Sequence, residues 1–288
     1  SNLSFVAADL LNDVGWAAAV ADCDVVLHVA SPVMPGHVAN EDDVIVPARE
    51  GTLRVLRAAR EAGVKRVVLT SAFHAVSWGH RHSNHVFTES DWTKLDGPGV
   101  DAYGKAKTLA ERAAWDFVAS GGGPELTTLL PVAVMGPVMG RDISGANHII
   151  QRMLVGGMPG FPNLFIPIVD VRDVASAHVL AMTTPEAAGE RFLISNGPAL
   201  ALKEIGAIIR AELGADATRV PTRNIPDIAV RLGSIFNPEL RAFVPDLGYS
   251  KKTTNEKARR VLHWTPRAPR EAIVAAAQSM ISKGLIGA

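Results

Sequence analysis

Glu61-Ala62-Gly63-Val64-Lys65-Arg66-Val67-Val68-Leu69-Thr70-Ser71 is the stretch on which the fold turns. It joins a segment of helical period, Asp43 to Ala62, to a short and almost wholly apolar run, with Gly63 where a glycine commonly closes a helix. Such a run suits a strand buried on both faces, as in a parallel sheet covered by helices. The pattern repeats outward. Before it lie an apolar run from Leu3 to Ala7, a helical segment from Val14 to Ala21 and a second run from Asp24 to Val29. After it come a helical segment from Asp101 to Ser120 and a run from Leu126 to Leu130. The order β-α-β-α-β-α-β defines an α/β class. Right-handed crossovers bring the carboxyl ends of all four strands to one edge, where such folds bind ligands.

Beyond Gly136 the alternation weakens. A Gly- and Pro-rich passage, Gly156-Gly157-Met158-Pro159-Gly160, precedes a strand and helix from Ile166 to Met182 and further helices at Leu202 to Leu213 and Pro269 to Lys283. The expected organisation is a dinucleotide-binding portion over 1–135 and a smaller substrate-binding cap over 136–288, with 166–183 returning to the first portion.

The chain has 288 residues, 48% of them apolar, and 29 acidic residues balance 29 basic ones. This suffices for a large core and offers no net charge to neutralise a nucleic-acid backbone or dock on an anionic membrane. Small molecules are the expected partners. A single cysteine, Cys23, excludes an intrachain disulfide and fits a reducing compartment, so a cytoplasmic location is expected. No apolar run approaches the roughly 20 residues of a membrane-spanning helix.

Chemistry concentrates at Tyr103-Gly104-Lys105-Ala106-Lys107, which opens the helix continuing to Trp115. Residues four apart project from one helix face, so Lys107 stands beside Tyr103. An ammonium near a phenol stabilises the phenolate and lowers its pKa, which makes Tyr103 a candidate acid. Alone, the pair is equally an ordinary amphipathic one; its place after Val67-Val68-Leu69-Thr70-Ser71 gives it weight.

Several segments together resemble the extended short-chain dehydrogenase/reductases, in the branch of dihydroflavonol reductases, cinnamoyl-CoA reductases and bacterial aldehyde reductases. They are Ala8-Asp9-Leu10, His28-Val29-Ala30-Ser31-Pro32, Pro47 to Leu56, Leu69-Thr70-Ser71, Tyr103 to Trp115, Pro131 to Pro137 and Val169 to His178. The resemblance implies a Rossmann-like doubly wound parallel sheet and reduction of an aldehyde or ketone by hydride transfer. NADP is the implied cofactor, with NAD the alternative. By the same resemblance Tyr103 donates the proton, while Lys107 lowers its pKa and binds the nicotinamide ribose. Asp9 and Leu10 match positions near the adenine. Val29, Ala30, Ser31 and Thr70 match positions along the cofactor, and Pro131 and Val134 flank the nicotinamide.

Two departures stand out. The family places a second hydroxyl residue after Thr70-Ser71 to hold the carbonyl oxygen, and Ala72 occupies that position. Losing such a donor costs on the order of 3 kcal/mol in other enzymes. Ser71, a backbone amide or a group from the following loop are the available substitutes. That loop carries His74, Ser77, His80, His82 and His85; without a glutamate-flanked helical pair they read as pocket-lining rather than metal-binding, with His74 a substrate contact. Asp170-Val171-Arg172-Asp173 reads as capping and ion pairing, and Trp16 and Trp115 as core.

The second departure is that no Gly-x-Gly-x-x-Gly joins a first strand to a first helix. By the family register Leu3 to Ala7 is the third strand, so the first two strands are missing. In the order 3-2-1-4-5-6 this leaves a gap inside the sheet, poor dinucleotide binding and lowered stability. Two other functions fit the same residues: a sugar-nucleotide epimerase or dehydratase, and a cofactor-binding regulator without turnover.

Overall fold

The computed structural model of the protein describes residues 3–32 and 38–286. In chain order the elements are α1 (Trp16–Val20), β1 (Val25–His28), α2 (Asp42–Glu61), β2 (Arg66–Thr70), β3 (Val86–Phe87), α3 (Ala102–Ala119), β4 (Glu125–Pro131), β5 (Ala133–Met135) and α4 (Asn147–Leu154). There follow β6 (Phe165–Asp170), α5 (Val171–Thr183), β7 (Arg191–Ile194), β8 (Asn196–Ala201) and α6 (Leu202–Leu213). The last are α7 (Asp227–Phe236), α8 (Pro238–Phe243), β9 (Lys252–Thr253), α9 (Glu256–Val261) and α10 (Pro269–Ser282).

The main sheet is parallel, in the order β1-β2-β4-β7. Side chains alternate between its faces. Val67 and Leu69 of β2 join Leu126 against Leu56 and Ala59 of α2 and Ala114 of α3. Val68 joins Leu129 and Phe192 against Ala177 and Ala181 of α5 and Ala258 of α9. Helices on both faces make this a doubly wound, Rossmann-like sheet. The second sheet is β5-β6-β8, with β6 and β8 antiparallel. Its core includes Ile150 and Met153 of α4, Ile205 and Ile209 of α6, and Ala276 and Met280 of α10.

The expected strand at Leu3 to Ala7 does not form. Residues 3–9 take no regular structure, Phe5 is 90% exposed, and the sheet begins at β1. A strand's backbone groups need a neighbour to bond, and residues 3–9 pair with no strand among the described residues, β1 included. The sheet therefore has an open edge at β1 in place of the expected internal gap. The segment expected as one unit from Ile166 to Met182 straddles the two cores: β6 pairs in the second sheet, whereas α5 packs on the first.

Asp170 caps α5, accepting from the Arg172 backbone N–H at 2.8 Å and pairing with its guanidinium at 2.6 Å. Asp173 accepts from Arg267, and its carbonyl accepts from Trp264 Nε1 at 2.9 Å, tying the chain before α10 to α5. This run is structural, as its capping pattern predicts. Among the described residues no helix is long and apolar enough to cross a membrane.

Candidate active site

α3 positions the central pair. Its N-cap, Asp101, accepts from the Gly104 backbone N–H at 2.8 Å, which fixes the first turn and therefore Tyr103 and Lys107 one turn apart. The Lys107 ammonium stands 6.0 Å from the Tyr103 ring centroid. Lys107 is buried beside the ends of β1 and β2, yet forms no hydrogen bond or ion pair among the described residues. Burial disfavours its charged form and draws its pKa down to about 8, against the pull of Glu111 one turn further on.

The expected lowering of the Tyr103 pKa is not seen. Burial pushes the phenol up, and the Asp101 carboxylate pushes in the same direction. At 6.0 Å from the ring, Lys107 does not offset the lost hydration. The phenol thus keeps its proton at neutral pH, and its hydroxyl has no hydrogen-bond partner among the described residues.

A narrow cleft gathers Ala30, Ser31, Thr52, Thr70, Ser71 and Lys107. Three residues expected along a cofactor, Ala30, Ser31 and Thr70, thus meet the lysine. Val29, at the end of β1, is exposed. Asp9 and Leu10 are not among the residues that line the cleft: the Asp9 carboxylate accepts from the Leu11 N–H at 2.9 Å, and Leu10 packs over Gly51 of α2. Pro131 ends β4, and Val134, in β5, packs on the main core.

The Thr70 hydroxyl is committed at 2.6 Å to His178 Nε2, since His178 Nδ1–H donates to the Val174 carbonyl at 2.8 Å. Ser71 is likewise committed. Only 4% exposed, it donates at 2.7 Å to Glu111 Oε2. Glu111 in turn accepts from Thr128 at 2.8 Å and pairs with Arg191 at 2.8 Å. A hydroxyl proton spent on a buried carboxylate cannot hold a carbonyl oxygen, so Ser71 does not stand in for the absent second hydroxyl. Ala72 is buried and contributes no side-chain donor.

His74 is the polar group brought to Tyr103. Their rings meet edge to face at 4.9 Å, and the other face of the contact is Trp78, stacked on His74 at 3.7 Å. Burial and the nearby cations Lys251 and Lys107 take the His74 pKa down to about 3, so the imidazole is neutral. His80 and His82 line a cavity with Trp78, as the loop's composition suggests. His85 instead pairs with Asp91 at 3.0 Å. Lys251 and Tyr249, which join this neighbourhood from the far end of the chain, carry no local sequence signal; β9 brings them in by pairing with β3 in the register Val86↔Lys252. Among the described residues, no group of three or more His, Cys, Asp or Glu is arranged to hold a metal ion.

A doubly wound parallel sheet with a tyrosine and a lysine one helical turn apart beside its strand ends defines a Rossmann-like α/β protein. Residues 1–195 match the NAD dependent epimerase/dehydratase family, and the chain belongs to it. It is 37% identical over 195 residues to cinnamoyl-CoA reductase 1 of Oryza sativa subsp. japonica, covering 67% of this chain and 56% of that protein. It is 34% identical over 206 residues to an anthocyanidin reductase of Vitis vinifera, covering 65% of this chain and 60% of that one. The chain thus spans little more than half the length of these curated relatives. Yeast methylglyoxal/isovaleraldehyde reductase Gre2, solved with NADPH, shares the fold with a TM-score of 0.76 at 24% identity, covering 96% of this chain and 83% of that one.

Proposed function

We propose that the protein is an NAD(P)-dependent carbonyl reductase, with NADP the favoured cofactor and an aldehyde or ketone the substrate. The observation that carries this reading is the pair itself: a protonated, uncommitted Tyr103 phenol beside a buried Lys107 ammonium that lacks a partner. A buried ammonium without hydrogen bonds costs stability unless a ligand supplies acceptors, and the ribose hydroxyls of a dinucleotide are such acceptors. Residues of 1–135 form the cofactor side of this reading, and 136–288 chiefly the substrate side.

When bound, the dinucleotide supplies the hydride. Tyr103 gives its hydroxyl proton to the carbonyl oxygen, so that the carbonyl becomes an alcohol. Lys107 stabilises the phenolate left behind, an interaction stronger in the transition state than in the ground state. The neutral His74 imidazole, adjoining the Tyr103 ring, replaces the hydroxyl that Ala72 lacks as a donor to the carbonyl oxygen.

Tyr103→Phe keeps the ring and its contact with His74 and removes only the proton. We expect it to lower kcat with reduced cofactor and benzaldehyde by about 10²- to 10⁴-fold with little change in KM. Full activity in this variant sinks the mechanism.

A further inference from the structure

Two ring contacts from Tyr103 lies a second cavity, of about 250 Å³, that the reaction above does not use. At roughly 30 Å³ per water it holds on the order of eight waters, enough for a small charged group on a short carbon arm. Those contacts run from Tyr103 to His74 and from His74 to Trp78, and Trp78 forms part of the cavity wall.

Two of its polar groups, Ser77 and Arg81, lack a partner among the described residues. Ser77, 1% exposed, lines the cavity with a hydroxyl that has no partner; Tyr249, which is not part of the lining, also has an unpartnered buried hydroxyl. Buried hydroxyls are rarely left so, because each forgoes the bonds it makes in water. Tyr249 is stacked on cavity-lining His82 at 4.2 Å, and the Lys251 ammonium lies 5.6 Å from the Tyr249 ring and 4.3 Å from that of Trp78. Asp246 pairs with Lys251 at 2.5 Å and offsets its charge. Arg81 then leaves the lining positive: its guanidinium has no ion pair or hydrogen bond among the described residues. His82 already donates Nε2–H to the Pro245 carbonyl at 2.6 Å, and His80 donates to the Trp92 carbonyl at 3.0 Å. A buried hydroxyl free to donate, an uncommitted guanidinium and an aromatic wall recognise an anion on an apolar stem.

We propose that this cavity is a carboxylate subsite, so that the substrate is an aldehyde or ketone bearing a carboxylate away from its carbonyl. The assignment rests on the reductase reading for its substrate, whereas the anion site stands on the cavity alone.

The test compares 4-carboxybenzaldehyde, benzaldehyde and 4-formylphenyl phosphate as substrates of the whole chain with reduced cofactor, and titrates benzoate against tryptophan emission. Wild type is compared with Arg81→Gln and Lys251→Met, and Trp78→Phe identifies the responding indole. The expected result is a kcat/KM for 4-carboxybenzaldehyde at least about tenfold above that for benzaldehyde, expressed in KM, with the ratio falling toward one in Arg81→Gln. Benzoate should alter the Trp78 emission in wild type and not in Arg81→Gln. Because Arg81 is exposed and supports no contact among the described residues, that variant remains informative if Lys251→Met folds poorly. Turnover of benzaldehyde without a carboxylate preference and without a benzoate response overturns the subsite and leaves the reductase standing. No turnover of any aldehyde, with a benzoate response lost in Arg81→Gln, overturns the reductase and supports the subsite. A larger kcat/KM for 4-formylphenyl phosphate than for the carboxylate overturns the carboxylate assignment.

Discussion

Glu111 shows how one buried side chain redirects the chemistry of its neighbours. At 1% exposure it holds Ser71, Thr128 and Arg191, and the Arg191 guanidinium also stacks 3.7 Å from the Trp92 ring. Removing one member of a buried pair leaves the other charge uncompensated. Arg191→Met should therefore lower stability by about 3–5 kcal/mol, measured by urea denaturation. A loss within a few tenths of a kcal/mol would mean that Glu111 is protonated or hydrated there. This network leaves no local mark in the sequence, whereas the spacing of Tyr103 and Lys107 does. Four-residue spacing on a helix is visible locally, but the contact that commits Ser71 spans 40 residues.

The elements readable in the sequence are those whose period is sustained. α2, α3, α6 and α10 lie within a residue or so of their expected limits, because each repeats apolar positions over three turns or more. Leu3 to Ala7 fails for a different reason: a strand is a relation between segments, and apolar composition does not create the neighbour. β5 and β7, of three and four residues, are too short to show a period, and β7 opens on the charged Arg191. α6 carries one feature that composition hides. A Cβ on Gly206 would run into the ring of the fully buried Phe161, so glycine here buys close approach of helix to ring. Gly206→Ala should cost about 1–3 kcal/mol by overpacking, read as a lowered Tm. Adding Phe161→Leu should recover part of it, and strict additivity of the two changes would show that the contact is not the cause.

At the scale of the molecule, two apolar cores flank the site, and two buried histidines are held uncharged near it. His28 is buried with its Nε2 unpartnered, and burial, with Lys107 nearby, takes its pKa down to about 4 from an ordinary 6.5. His74 lies lower still, at about 3. As pH falls below about 6.5 the unfolded chain takes up these protons first, so stability is lost progressively toward pH 4. Lys107, at about 8 against 10.5, works in the same sense in alkali: its cost is full below pH 8 and is relieved as pH rises toward 10.5. Tm should therefore drop on acidification from pH 6.5 to 4, and His28→Asn should make that drop shallower; an unchanged slope would place the acid sensitivity elsewhere. The parallel class of the sheet and the place of the site at its strand ends follow from the alternation of elements along the chain. The closing of the second cavity does not. His82 and Pro245, which bond across it, are 163 residues apart. In time, then, the two halves of this protein are unequal: α2 and α3 bring together segments nearer in the chain, whereas the cavity walls exist only after the longest loop has closed. Its pairing through β3 and β9 involves two residues on each side. Held by so short a pairing, this wall should open before the main sheet does.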